Sequence, residues 1–278
     1  MAMIEIDVKP FIQAKTGAVP IDNTEHQTEW ASWYQNNNGW RIYNVLQNGI
    51  NQTFTRNTLN SCSRICKDWA SLIMSEPVTI NCTNYDEVLQ IILKYLNFMQ
   101  VMNKSIEKDY ALGGGALIWD FIPKSKTIQL QFVDATHCYP LDVSNDVVIG
   151  CAFSKQQVIN GKQIAFVSIR RVNINYNYAI DENGTEIDVS VFGLATVVKN
   201  RYRSFSFFTP RNIVKDDWNN PFGASIFADA IDANKLVDEA FDSFINEFKL
   251  GKKRIFLSQD LLQSKAQSDG FVCIFCLC

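Results

Sequence analysis

The chain has 278 residues, with 26 Lys plus Arg against 29 Asp plus Glu and a formal net charge of -3. With 47% apolar and only 20% charged residues it can bury a core, and it is excluded from the class of disordered charged tails. The near-neutral balance gives no support to nucleic-acid binding through overall charge.

Residues 1–10 carry Glu5, Asp7 and Lys9 between single apolar residues, so no secretory signal is expected there. The longest apolar pattern, 88–101, is broken by Gln90, Lys94, Asn97 and Gln100. No membrane span or membrane partner is therefore expected, and the chain reads as soluble and made in a cytosol. Residues 1–29 read as a loosely ordered arm, punctuated by Pro10, Gly17, Pro20 and Asn23. Trp30, Trp33, Tyr34, Trp40 and Tyr43 follow, split into two short pieces by Asn36, Asn37, Asn38 and Gly39. This aromatic cluster reads as core or subunit interface rather than as a platform for stacking bases.

Leu59, Cys62, Ile65, Cys66, Trp69, Leu72 and Ile73 recur at helical spacing and predict a helix over 54–75. Glu76 and Pro77 stop it, because proline disfavours helical geometry in the residue before it. Residues 78–81 read as a short strand. Asn84 to Glu87 resembles a capping box opening a second helix. Val88, Ile91, Ile92, Tyr95 and Met99 give that helix one face, and the pattern continues, with or without a break, through Met102, Ile106 and Tyr110.

Gly113, Gly114 and Gly115 then precede a strand over 116–122. Phosphate-binding glycine loops need a helix after them, so this triplet reads as a turn where backbones cross closely. From 127 to 203 the period shortens to two, giving strands at 128–133, 147–153, 163–172, 176–180 and 194–203. Asn160 with Gly161, and Asp181 to Gly184, are the turn signals between them. The expected class is α+β, helices plus an antiparallel meander, rather than a doubly wound sheet.

Residues 210–223 form a polar connector, and 225–250 read as one long helix. Ile226, Ala230, Ala233, Val237, Ala240, Phe244 and Phe248 run down one side of it, a stripe suited to another helix or a neighbouring subunit. Together with Trp69 these are the candidate interface or supporting-core residues. Gly251 ends the helix, and Lys252, Lys253 and Arg254 follow as candidate phosphate contacts. Phe271 to Cys278 is apolar enough to require burial against a partner, unless the chain is an altered version of a longer one.

Catalytic signals are absent: there are two histidines and no zinc-protease, nucleophile-elbow, P-loop or kinase motif. Asp134, Thr136, His137 and Cys138 could form an acid–nucleophile cluster, but a side chain at a strand end is preferred. Asp216 with Asp217, and Asp229 with Asp232, could hold a hard cation, with solvated acids the default. Of the eight cysteines, Cys62, Cys66, Cys82, Cys138 and Cys151 sit in apolar patterns and read as buried thiols. Cys273 and Cys276 have the spacing of half a zinc site only. No catalytic, cofactor-binding or metal-ligating residue is expected, and the chain does not read as an enzyme.

Three stretches resemble the portal (connector) proteins of tailed bacteriophages with long non-contractile tails. Arg56 to Pro77, with its Asp68, Trp69, Ala70 sequence, is similar to an early helix of that family. Ala111 to Ala116 resembles the glycine-containing approach to the first wing strands. Asn220 to Asp232 with Asp238 to Phe248, followed by Gly251 to Phe256, resembles the helix after the wing sheet. The resemblance covers roughly 30–262 and rests on structural, not catalytic, residues.

It implies a non-enzymatic virion protein, assembled in host cytoplasm into a dodecameric ring at one capsid vertex. Double-stranded DNA is packaged and ejected through such a ring without sequence-specific binding. The implied partners are further copies of the chain, the packaging terminase, a head–tail adaptor, scaffold and major capsid protein. On this reading 1–29 is an N-terminal arm and 30–215 a wing-like domain. Residues 216–250 are the connector and helix at the wing–stem side, and 251–278 start a clip-like region. Family members are longer, and their returning stem helix, tunnel loop and crown have no counterpart in this sequence. The alternatives are a head–tail adaptor or minor capsid protein and, less favoured, a metal-dependent hydrolase.

Overall fold

The computed structural model describes residues 6–47, 49–76, 78–122, 127–210, 214–215 and 217–250. The elements in chain order are helices α1 (Lys9–Thr16) and α2 (Thr24–Tyr34), strands β1 (Ile42–Gln47) and β2 (Ile50–Thr55), and helices α3 (Ser61–Ile73), α4 (Asp86–Tyr95) and α5 (Phe98–Leu112). Strands β3 (Gly115–Ile122), β4 (Thr127–Asp134), β5 (Cys138–Ser144), β6 (Val147–Ile159), β7 (Lys162–Arg170) and β8 (Ile174–Asp181) follow. The chain continues through β9 (Glu186–Ile187), β10 (Val197–Lys199), β11 (Phe205–Phe208) and helix α6 (Ile231–Leu250). This is a mixed fold of antiparallel sheets and helices with a long helix at its C-terminal side. It divides into two compact units, one of 1–41 with 60–235 and one of 42–59 with 236–278.

In the first unit, β5 to β8 form an antiparallel meander extended by β9 and β10, and β11, β3 and β4 form a separate three-stranded sheet. Asn160 and Gly161 both take positive φ, 52° and 77°, the two-residue turn whose twist matches a hairpin, and they join β6 to β7. The glycine turn behaves as expected. Gly113 has φ +76°, its carbonyl accepts from the Gly223 N–H at 2.7 Å, and a Cβ there would collide with the Gly223 carbonyl oxygen. The α5 C-terminus and 222–227 can therefore lie backbone on backbone only with glycine.

The residues 6–29 are not a loose arm. Val8 and Ile12 of the α1 segment are buried among Ala152, Val167, Ile169 and Ile180 on one sheet face. Pro10 sits in the first turn of α1 and Gly17 caps its end, so these residues bound a helix instead of preventing one. Most of the aromatic cluster is core: Trp30 and Trp33 are buried with Cys62, Cys66, Ala111 and Phe227, Tyr34 and Trp40 pack against them partly buried, and Tyr43 belongs to the second unit. Arg170 joins the two larger sheets. It is 4% exposed and donates to the Trp119 and Ser204 carbonyls at 3.2 Å each, while ion-pairing with Asp120 at 2.7 Å.

Other boundaries differ from the sequence reading. The helix expected over 54–75 begins at Ser61, because 50–55 is strand β2 paired with β1. Phe54 falls in phase with the α3 pattern, but Thr53 and Thr55 are β-branched and suit the hairpin. Residues 78–81 form no strand. The second helix starts at Asp86 with Tyr85 as its N-cap and no side-chain cap, so the capping box does not form. Strands β5 and β11 were not expected. β5 contains Pro140, tolerated because β5 is an edge strand whose register shifts between Pro140 and Asp142. In place of a strand over 194–203 there is the short β10. The helix expected from 225 begins at Ile231. Before it, the Ile226 N–H and the Ser225 hydroxyl both donate to the Tyr110 carbonyl at 3.0 Å, holding the chain out of helical geometry.

Candidate functional site

Helix α6 turns an unexpected side inward in the second unit. Asp238 and Asp242, four residues apart on one face, are each 6% exposed. Asp242 Oδ1 accepts the Asn57 backbone N–H at 2.9 Å and Asn57 Nδ2 at 2.7 Å. Its Oδ2 accepts Asn246 Nδ2 at 3.2 Å and the Tyr43 hydroxyl at 3.4 Å. Asp238 Oδ1 accepts the Leu59 N–H at 3.0 Å. These carboxylates satisfy backbone donors where the chain leaves the β1–β2 hairpin, the strong, charge-assisted kind of hydrogen bond. Burial pushes the Asp242 carboxyl up, but the bonds from Asn57, Tyr43 and Asn246 outweigh it and hold it below the usual carboxylate range. Asp242 is thus a buried structural acid.

The apolar side of the same helix faces outward. Leu236 is 68% exposed, Val237 46%, Phe244 57% and Phe248 66%. The two phenylalanine rings pack edge to face, 4.6 Å apart, so each has the other as its neighbour along the helix. The remaining candidates lie in the first unit. Trp69 is 51% exposed on α3, so it is surface and not supporting core. Ile226 is partly buried against the Trp30 cluster, and Ala230 sits in a 3-10 turn ahead of α6. The stripe read along one helix therefore loses its first two members, because 226–230 is not α-helical. Lys252, Lys253 and Arg254, the candidate phosphate contacts, lie outside the described residues, as do Asp216, Cys273, Cys276 and Cys278.

The chemistry-bearing groups resolve into local locks. Asp134 Oδ1 accepts from the Thr136 hydroxyl at 2.6 Å and bonds His137 Nδ1 at 2.8 Å, and Lys108 Nζ lies 3.3 Å from Oδ2. Burial raises this carboxyl, but His137, Thr136 and Lys108 more than offset that and hold it well below the ordinary range. The cluster ties the short turn between β4 and β5. Asp229 pairs with Lys215 at 2.6 Å and Asp232 with Lys235 at 2.7 Å, so each acid has its own counter-charge. Both border an open cleft of about 720 Å³ that also contains His26, stacked on Trp30. Burial, then the Cys62 and Glu107 charges, push the Cys66 thiol up to about 12, the opposite of what a metal thiolate needs. Four of the five cysteines read as buried thiols are buried, and Cys82 is half-buried. Among the described residues no three His, Cys, Asp or Glu side chains group to hold a metal ion, and no helix is long and apolar enough to cross a membrane.

The buried roles of Asp238, Asp242 and Arg170 carry no sequence signal, since a charged residue opposite an apolar stripe has the spacing of a solvated one. A scan against protein-family models and a search of curated proteins each return no match.

Proposed function

We propose that the chain is a structural subunit of a portal-type ring at a capsid vertex, the conduit through which double-stranded DNA is packaged and ejected. One observation carries the assembly part of this reading: α6 buries its aspartates and leaves Leu236, Val237, Phe244 and Phe248 outside. A long helix with an aromatic stripe left exposed among the described residues is unfavourable in water and gains by packing on another chain. The resemblance of 56–77, 111–116 and 220–248 to portal sequences names the assembly. In such a ring the subunit acts by geometry, offering a channel and a symmetric docking face to terminase, head–tail adaptor, scaffold and capsid protein. The wing-like role of the meander and the host-cytoplasmic and virion locations belong to the same proposal.

Imaging and mass measurement of the purified full chain test it. Closed rings with a central channel are the expected result. A uniform monomer across the micromolar range would remove the reading.

A further inference from the structure

The second unit has two outward faces of different kinds. Tyr43 points toward α6, since its hydroxyl bonds Asp242. Side chains alternate along a strand, so Ile42, Asn44 and Leu46 point the other way, with Asn51, Thr53 and Thr55 opposite them across the ladder. Ile42 is 60% exposed and Leu46 69%. The hairpin from Ile42 to Thr55 contains no Asp, Glu, Lys or Arg. It is a two-stranded sheet, pairing β1 only with β2 among the described residues. Natural proteins guard such exposed strands with charge, so an uncharged one calls for a cover.

Among the described residues of this unit, the α6 stripe and the Ile42 and Leu46 face are exposed on opposite sides of the hairpin–helix contact. A closed ring requires unlike surfaces of this kind, because each copy meets one neighbour with one face and the next neighbour with the other. We infer that the α6 stripe of one copy is covered by the outer hairpin face of the next, an inference that rests on the ring reading.

Area and charge both favour a second copy as the occupant. Taking about 150–250 Å² for a large aromatic side chain, the four exposed α6 residues leave on the order of 400 Å² of apolar surface. That is as large as the greatest apolar patch of a typical monomer and about half of one partner's share of a specific interface. The uncharged Asn44, Asn51, Thr53 and Thr55 supply the polar remainder. Glu239 lies beside the stripe and Glu247 within its arc, and a neutral hairpin meets both without like-charge repulsion.

The test mixes two full-length variants, Leu46→Cys and Phe244→Cys, with a bis-maleimide cross-linker, and identifies linked peptides by mass spectrometry. Unmixed variants and the unsubstituted chain serve as controls for the native thiols. A peptide joining position 46 to position 244, formed in the mixture and absent from either variant alone, is the expected result. Because the two cysteines are on different chains, that link can arise only between copies. Ile42→Cys with Val237→Cys repeats the test at a second pair. Rings in the images with neither link overturn this contact while leaving the ring standing. Absence of rings from the unsubstituted chain overturns both.

Discussion

The core of the first unit and the part of helix α6 that lies in the second, from Leu236 on, follow opposite rules. In the core, apolar period and burial coincide. Ile164 and Ile180, in strands β7 and β8, are buried, and Trp30 and Trp33 are buried where the sequence is richest in aromatics. In α6 the apolar stripe is outside, and the side turned inward is fastened by two carboxylates to the hairpin exit. The difference shows that a hydrophobic pattern fixes which side of an element is apolar, not what covers it. Stability of the core is carried by packing and close backbone approach, whereas α6 beyond Ile231, which is still core, adds charge-assisted hydrogen bonds to the partial burial of Phe241 and Ile245.

Substitutions in each region separate these two kinds of attachment. The largest effect is expected at the core side, from Gly113→Ala. The added Cβ meets the Gly223 carbonyl at a positive φ, so a loss of about 3 kcal/mol is expected in urea unfolding. An unchanged midpoint would mean that the crossing of these backbones is not tight. Next comes Asp242→Ala, which strands the Asn57 and Tyr43 donors. The expected cost is about 2 kcal/mol, localised to the second unit. Hydrogen exchange should quicken at 57–59 and 236–246 and not in the β6–β7 hairpin. Uniform quickening would contradict the separation.

The core also contains one group that departs from its own rule. Asp109 on α5 is 5% exposed, and its Oδ1 has no hydrogen-bond partner among the described residues. Burial raises its carboxyl from the usual value to about 8. The folded chain therefore holds a proton that the unfolded chain has released across the interval from about pH 4 to about 8. Stability contributed at low pH is lost as pH rises through that interval, by up to about 1.4 kcal/mol per pH unit for one proton. Asp242 and Asp134, held low in the fold, contribute in the opposite sense: their stabilisation is present above the ordinary carboxylate range and fades at lower pH, outside this window. Asp109→Asn should flatten the decline between pH 5 and 8. A variant with the same slope as the parent would show that Asp109 is ionised throughout. The smallest effect on folding is expected from Phe244→Ser, within about 0.5 kcal/mol, because the ring is more than half exposed.

Legibility in the sequence followed the same division. Strands β6 to β8 of the meander, the Asn160 and Gly161 turn, the glycine crossing at Gly113 and the mid-chain helical regions are readable, because each has a local cause in side-chain period or backbone freedom. The hairpin at 42–55 was not, since Phe54 fell in phase with the helix that follows it. Helix α1 is illegible because Pro10 and Gly17 signal helix boundaries as well as breaks. Strand β5 was hidden by a proline that only an edge position tolerates. For the candidate site the apolar residues Val237, Phe244 and Phe248 were visible. The inward acids beside them were not, because partners such as Asn57 and Tyr43 lie about 180–200 residues away in sequence.

Sedimentation velocity of the full chain beside Phe244→Asp, with thermal unfolding of both, addresses the central claim most directly. A charge placed on the exposed stripe leaves a monomer nearly unaffected but is costly in a desolvated contact. Large assemblies are expected for the parent, and for the variant slow-sedimenting chains that still unfold in one cooperative step, at a temperature lowered only by the lost association. Equal sedimentation profiles, or a variant that unfolds before it dissociates, would contradict the assignment of the α6 stripe to assembly.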